Sequence, residues 1–509
     1  VDQGLDRSVF TTEQSFTYIP AGAAFLDETP SLISGLVGGW SQAEVSTADI
    51  DNDDDLDFII SGINSSGDTE IRVYIFTGSS FVLDNDLTDG LTAVANPSIE
   101  WQDVNGDGFL DVLIAGVSSS GPVSILYENE DGDEFSQLTT FLGVNASVAW
   151  GDYDNDGRSD LLLTGQANSG PVSILYHNDG GGSFTEVTAV NLTGVQESSV
   201  LWSDINTDGY RDIVLTGNDG SAPVTLIYIN DQAGNFTSIG NGGLANIKLG
   251  DIEEGDYNND GLPDFVLAGE SGATGFTPVA GVYRNNGDQT FTQVFAPIAS
   301  REGSVAWGDY NNDGFSDFVV IGKETSANNT YSSRFYTNNG GTGFTEDVAN
   351  SSVLPNLGDG ATLSWGDLND DDKLDLILSG RSTDVPPANI FSILTNIDGN
   401  VNTTLNAPTG LTATQTGTTV EVSWAAPTGV AANLINGITY NLRIGSTSGD
   451  IDILTPLTDA TTGFNRVPQS GTLGSTLNWT INGLSEGQYF WSVQAVDQDF
   501  ETSAFSAES

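Results

Sequence analysis

The chain of 509 residues contains no cysteine, no methionine and a single histidine, His177. Without thiols it is not held by disulfides and has no cysteine nucleophile, and its lone histidine leaves little room for a His-based triad. Basic residues are also scarce: 13 Lys and Arg stand against 70 Asp and Glu, a formal charge of −57. Such a field repels phosphates, which argues against nucleic acid or anionic membrane as a partner. No apolar run approaches the length of a membrane span, so no membrane insertion is expected. The absence of Met even at position 1 points to a processed or excised part of a longer chain, with any export signal already gone.

What the chain has in abundance is one acidic motif of nine residues, present seven times. The copies start at Asp49, Asp103, Asp152, Asp204, Asp256, Asp309 and Asp367, and account for 27 of the 70 acidic residues. Side-chain oxygens recur at the first, third, fifth and ninth positions. These are Asp49, Asp51, Asp53 and Asp57; Asp103, Asn105, Asp107 and Asp111; Asp152, Asp154, Asp156 and Asp160. The later copies supply Asp204, Asn206, Asp208 and Asp212; Asp256, Asn258, Asp260 and Asp264; Asp309, Asn311, Asp313 and Asp317; Asp367, Asn369, Asp371 and Asp375. Short oxygen-bearing side chains on alternate residues of a tight loop suit a hard cation, and calcium is the expected cofactor, up to seven ions. Five copies have Gly at the sixth position, whereas Asp54 and Asp372 stand there in the first and last. Asp tolerates left-handed backbone better than most residues, so those two loops are expected to close as well.

Successive motifs are 49 to 58 residues apart, and a period near fifty signals a propeller or solenoid. Within each period an apolar run precedes the motif, often ending in Trp (Trp150, Trp202, Trp307). A second run ends in Gly, a third ends in an Asn-rich turn such as Asn178-Asp179-Gly180, and a fourth opens on Phe184, Phe236, Phe291 or Phe344. Four short strands per period joined by turns predict an all-β fold, a seven-bladed β-propeller over residues 1–405. Blade seven lacks a Phe-led fourth strand. Ser15-Phe16-Thr17-Tyr18-Ile19 has that character and is expected to complete the blade, with 401–405 as a competing segment. From about residue 406 the period stops, and alternating segments at 419–424, 439–444 and 489–496 predict a β-sandwich.

Two resemblances add to this reading. The run Trp150-Gly151-Asp152-Tyr153-Asp154-Asn155-Asp156-Gly157-Arg158-Ser159-Asp160 and its relatives resemble the FG-GAP/VCBS repeat of integrin α-chain propellers and secreted bacterial proteins, over residues 15 to 400. That resemblance implies that the motif joins the first two strands of each blade. It also implies a backbone-carbonyl ligand at the seventh position: Asp55, Phe109, Arg158, Tyr210, Leu262, Phe315 and Lys373. Thr47 and Glu254 replace the Trp that precedes the other loops, which leaves local packing open there. Pro408-Thr409-Gly410-Leu411, Trp424, Tyr440 and Leu484-Ser485-Glu486-Gly487-Gln488-Tyr489 resemble the fibronectin type III pattern. Domains of that family usually act as spacers, so this one is expected to be indifferent to calcium, and its Tyr489 hydroxyl to tie back to the backbone.

Seven equivalent sites argue for structural rather than catalytic metal, which needs an open position and a base. The Trp residues read as packing between blades. His177, beside a hairpin turn, reads as an exposed residue, and no catalytic residues are assigned, although a carboxylate pair for glycoside hydrolysis stays open. The expected function is an extracellular or cell-surface binding or adhesion module for a glycan or protein. The alternative is an architectural segment of a longer surface protein. By resemblance the ligand face lies opposite the calcium loops. The longer loops of blades five to seven gather Phe276, Lys323, Tyr331, Arg334 and Arg381 as candidate ligand contacts.

Overall fold

The computed structural model of the chain describes residues 22–33, 38–272, 277–324, 330–382, 388–398, 400 and 404–509. The repeat becomes a series of antiparallel sheets whose strands follow chain order. The first unit pairs Trp40–Ala48, Asp57–Asn64, Thr69–Phe76 and Phe81–Asp84 in succession. Units starting at Gln196, Lys248 and Val305 repeat this as separate four-stranded sheets. Units two and three form one seven-stranded sheet, because Glu134–Gly151 serves as the last strand of one and the first of the next. The unit from Leu357 has three strands of its own, and Phe25–Asp27 adds the fourth by pairing with Ala388–Asn396.

The closing strand is thus Phe25–Asp27; the expected segment 15–19 and residues 401–403 of its competitor lie outside the described residues. Phe25 is fully buried, stacked on Phe335 at 4.9 Å between ring centroids and 6.2 Å from Trp365. Phe25→Ala is expected to cost about 3–5 kcal/mol, read as a lower denaturant midpoint, because the cavity would open where the two ends of the array meet.

The second strand of every unit is apolar on both faces. Runs such as Val112–Ala115, Leu161–Leu163 and Phe318–Ile321 are fully buried, since each is packed between neighbouring sheets. First strands pack on one another in the order of the units, and the last, Leu357–Gly366, packs against the first, Trp40–Ala48. The series therefore returns to its start.

The Trp-Gly-Asp motif has a steric origin in this packing. A Cβ on Gly151 would stand 2.6 Å from Trp202 of the next unit, and on Gly255 3.0 Å from Trp307. Gly151 and Gly255 leave room for the next unit's Trp202 and Trp307, whose indole N–H groups reach back across the unit boundary to Ala149 O at 3.2 Å and Glu253 O at 3.4 Å. Where the next Trp is replaced by Glu254, Ser203 stands in place of the Gly. Thr47 fills its position with hydrogen bonds to Ser364 Oγ and Trp365 O.

After residue 408 two small sheets enclose a separate core. Thr409–Thr416, Thr419–Ala425 and Asn478–Ile481 form one, Thr439–Gly445 and Phe490–Val496 the other. Trp424, Tyr440, Trp479 and Trp491 lie between them, and the Tyr489 hydroxyl donates to Ser485 O at 2.9 Å. This part is no detached spacer. It sits on the acidic loops: the Asp49 and Asp309 N–H groups donate to Arg466 O and Gln498 O at 2.8 and 3.1 Å, and the Asn482 N–H to Asn155 O at 2.7 Å. The Arg211 guanidinium reaches Thr472 O, and Ser475 Oγ donates to Gly261 O at 3.1 Å. These contacts join the two parts at the loops, and calorimetry with and without calcium is the test of the expected indifference.

Candidate metal centres

All seven acidic motifs form tight loops between the first and second strands of their units. The carboxylate at the first position shapes the turn. Asp204 accepts from the Asp208 and Gly209 N–H groups, both at 2.9 Å, and Asp367 from Asp371 and Asp372 at 3.1 and 2.8 Å. The sixth position is left-handed throughout, with φ of 94° at Gly108 and 84° at Gly314 but also 68° at Asp54 and 59° at Asp372. The two loops without Gly close in the same way, at the modest strain Asp pays for that conformation. In six loops the seventh residue donates its N–H to the fifth-position carboxylate, as Tyr210 does to Asp208 at 3.0 Å.

The ninth-position Asp is the pin of each loop. Asp57, Asp111, Asp160, Asp212, Asp264, Asp317 and Asp375 are all fully buried. Asp212 accepts from Ile205 N–H at 3.1 Å and from Asn230 N–H at 2.7 Å, tying the loop to the third strand of its unit. Asp111 and Asp375 repeat both bonds.

The donor set fits a hard cation. The ligating oxygens of Asp49, Asp51 and Asp53, and those of Asp152, Asp154 and Asp160, lie within 4.8 Å of one another. Asp49 Oδ2, Asp51 Oδ1, Asp154 Oδ1, Asn258 Oδ1, Asp264 Oδ2 and Asn369 Oδ1 are buried oxygens with no hydrogen-bond partner. Burial, with neighbouring carboxylates adding to it, lifts Asp49 to about 7, Asp256 to about 7, Asp111 to about 8 and Asp57 to about 9. A cation is the group that would let these acids stay ionised. In loops two, four and six, Asn105, Asn206 and Asn311 turn their amide nitrogen to Asp107, Asp208 and Asp317, so ligation there needs the amide rotated.

Three functional features escaped the sequence. First, an Asn ends the third strand of units two to seven, and most of these reach the preceding unit's loop. Asn230 donates to Tyr153 O at 2.8 Å, Asn338 to Tyr257 O and Asn396 to Tyr310 O, both at 2.7 Å. The regular Asn after each third run was the available signal. Second, fourth-position residues link loop to loop, with Asn52 donating to Gly108 O, Asn155 to Gly209 O and Asn259 to Gly314 O at 2.8–2.9 Å. Third, His177 is not an exposed hairpin residue. It is partly buried over the third loop, with Nδ1 3.1 Å from Asp160 Oδ1, and that bond raises its pKa to about 9.

The candidate ligand contacts are mostly internal. Lys323 is buried and paired with Glu302 and Asp359 at 2.8 and 2.9 Å, and Tyr331 is buried with its ring 5.6 Å from the Lys323 ammonium. Arg334 lies against Glu346 at 3.2 Å, and Arg381, half-exposed, is 3.7 Å from Asp359. Phe276 lies outside the described residues. The charged members are thus not free: each lies beside a carboxylate of its own unit, and Lys323 also beside Asp359 of the next.

Between the units and the C-terminal part lies a cavity of about 1240 Å³. Glu44, Glu100, Asp251, Glu253 and Glu254 line it. Burial raises Glu100 to about 8, with Asp251 adding repulsion, and raises the other four as well. A raised carboxylate pKa means that the folded state holds protons the unfolded state has released. Stability with loops saturated should therefore fall as pH rises from about 4 to about 8. Glu100→Gln is expected to flatten that slope by about 1–3 kcal/mol in urea midpoints between pH 5 and 9, less than the full linkage value because Glu100 keeps some surface on the cavity.

Fold and loops together define an all-β repeat protein built on acid-rich hairpins. Residues 103–163, 152–215, 204–267 and 256–320 match the FG-GAP-like repeat, so the chain carries four such repeats. No curated protein matches it. Solved structures similar to it include the extracellular domain of a one-component system from B. thetaiotaomicron, at 10% identity and a TM-score of 0.41, covering 96% of this chain and 57% of that one. The V. cholerae biofilm matrix protein Bap1 is similar at 12% identity and a TM-score of 0.32, covering 93% and 80%. A lectin of Aleuria aurantia, solved with a methyl fucoside, is similar at 8% identity and a TM-score of 0.36, covering 61% and 96%. Among the described residues no helix is long and apolar enough to cross a membrane.

Proposed function

We propose that the chain is an extracellular, calcium-stabilised binding module: a seven-bladed β-propeller over residues 1–405, capped by a fibronectin type III-like domain over 406–509. The metal is calcium because every ligand position of the seven motifs offers oxygen, the one nearby imidazole being His177 beside the third loop, and its role is structural because the site recurs in each unit. The single observation that carries the binding reading is the position of the C-terminal domain. It occupies the end of the ring that bears the acidic loops, so a ligand has the opposite face. There the scarce cations alternate with acids in one chain across four units. Lys248 pairs with Glu197 at 2.9 Å, Arg301 with Glu270 at 3.3 Å, Lys323 with Glu302 and Asp359, and Arg381 with Asp359. Arg381, half-exposed, and the partly exposed Asp359 and Glu197 are the members of this row open to a ligand; such donors and acceptors suit a polyhydroxylated or zwitterionic surface, and a glycan is the preferred ligand class. No catalytic residue is proposed, since the one histidine is committed to Asp160.

The test is a glycan array probed at millimolar calcium with the parent and with an Arg381→Ala variant. Binding at micromolar affinity, lost in the variant while its melt is unchanged, is the expected result. Silence of the parent on the array, or equal binding by both, would contradict this site. The complete pairing of these cations would then favour an architectural segment of a longer surface protein.

A further inference from the structure

We infer that the C-terminal domain is a metal-gated cap: it is held on the ring by the shape of the loaded loops and is released when they empty. The inference rests on the calcium reading above. Most of its hydrogen bonds to the units fall on residues beside the ligand carboxylates, while Leu457, Phe464, Val467 and Phe500 pack on the apolar clusters of the units. Asn482 donates through its side chain to Asp154 O at 2.9 Å, and through its backbone to Asn155 O at 2.7 Å. Arg466, buried, donates to Gly108 O at 2.6 Å while its own carbonyl accepts the Asp49 N–H at 2.8 Å.

Those carbonyls point at the cap only while the loop holds its turn. With ions, at least three side-chain oxygens per loop converge on one point; without ions, clustered carboxylates repel and the turn has less to hold it. Docking and metal binding then share one free energy, and each must strengthen the other. The cap also supplies Tyr440, Leu457, Val467 and Leu473 to the wall of the 1240 Å³ cavity, so its release would open that space.

The test uses the full chain, with bound ions counted, amide exchange measured at Asn482, and the radius of gyration followed by X-ray scattering. Chelation is expected to raise the radius by several Å from the roughly 23 Å of a compact chain of this length, and to cut Asn482 protection at least tenfold, both reversed by calcium. Gly437→Ala supplies the converse. A Cβ there would intrude on Asn259 Oδ1 of the fifth loop, whereas Gly487→Ala meets only ordinary contacts at 3.6 Å and serves as control. Gly437→Ala should undock the cap and weaken calcium affinity about tenfold by titration calorimetry, with the same number of ions at saturation. Asn482→Asp, which sets a carboxylate against the third loop, should do likewise if Gly437→Ala does not fold. Ions that leave while radius and Asn482 protection stay fixed would overturn the gate and leave the calcium reading standing. An undocked variant with unchanged affinity would also overturn it. A parent chain that binds no ions would overturn both.

Discussion

Chelation is expected to lower the melting temperature of the chain by on the order of 10–20 °C, with both domains affected. A ligand that binds only the folded state adds RT ln(1 + [L]/Kd) per site, about 1.4 kcal/mol at ten times Kd, and seven sites sum to roughly 10 kcal/mol. For a chain of this size one kcal/mol moves the midpoint by roughly 1–2 °C. The cap rests on six of the seven loops through hydrogen bonds, including Thr462 Oγ1 to Asp54 Oδ1 at 2.8 Å in the first and the Asp309 N–H to Gln498 O at 3.1 Å in the sixth. Its unfolding should therefore shift with that of the ring, not stay behind as an independent domain would. Differential scanning calorimetry with and without chelator reads this directly. A C-terminal transition that stays in place would show that these contacts carry little energy.

The second large effect is expected at the pins of the loops. Asp212→Ala should cost about 3–5 kcal/mol and should not be rescued by excess calcium. The carboxylate is fully buried and satisfies two buried N–H groups, those of Ile205 and Asn230. Removing it strands both, at about 1–3 kcal/mol each, and takes away a ligand. Asp208→Ala offers the contrast. Its side chain is only partly buried and bonds within its own loop and to Gln232, so the loss should be about 1–2 kcal/mol, close to one metal site. Urea midpoints of the two variants at 10 mM calcium, chosen as roughly an extracellular excess, separate these outcomes. Equal losses would mean that the ninth position is a ligand and nothing more.

The period and the oxygen spacing were legible because they depend on local chain geometry. Nine residues suffice to specify a loop, and the Phe-led strands at Ser183–Glu186, Phe236–Gly240, Phe291–Phe295 and Phe344–Asp347 lie where the pattern put them. The tolerance of Asp54 and Asp372 for left-handed backbone followed from one residue's conformational range. What was not legible depends on pairs far apart in sequence. Asn338 meets Tyr257 O across 81 residues, Phe25–Asp27 pairs with Ala388–Asn396 from the far end of the repeats, and Arg466 meets Gly108 O across 358. Lys323 looked like a loop cation because Glu302 and Asp359, its partners, come from the strand entry of its own unit and of the next. The site residues were thus readable one by one, and their neighbours were not.

The central claim is that seven loops hold seven structural ions. Native mass spectrometry of the chain, exchanged into millimolar calcium, counts them in one spectrum. Seven bound calcium ions per chain, lost stepwise on chelation together with the thermal stabilisation, is the predicted result. A chain that carries no calcium, or one whose melt is the same with and without it, would contradict the account.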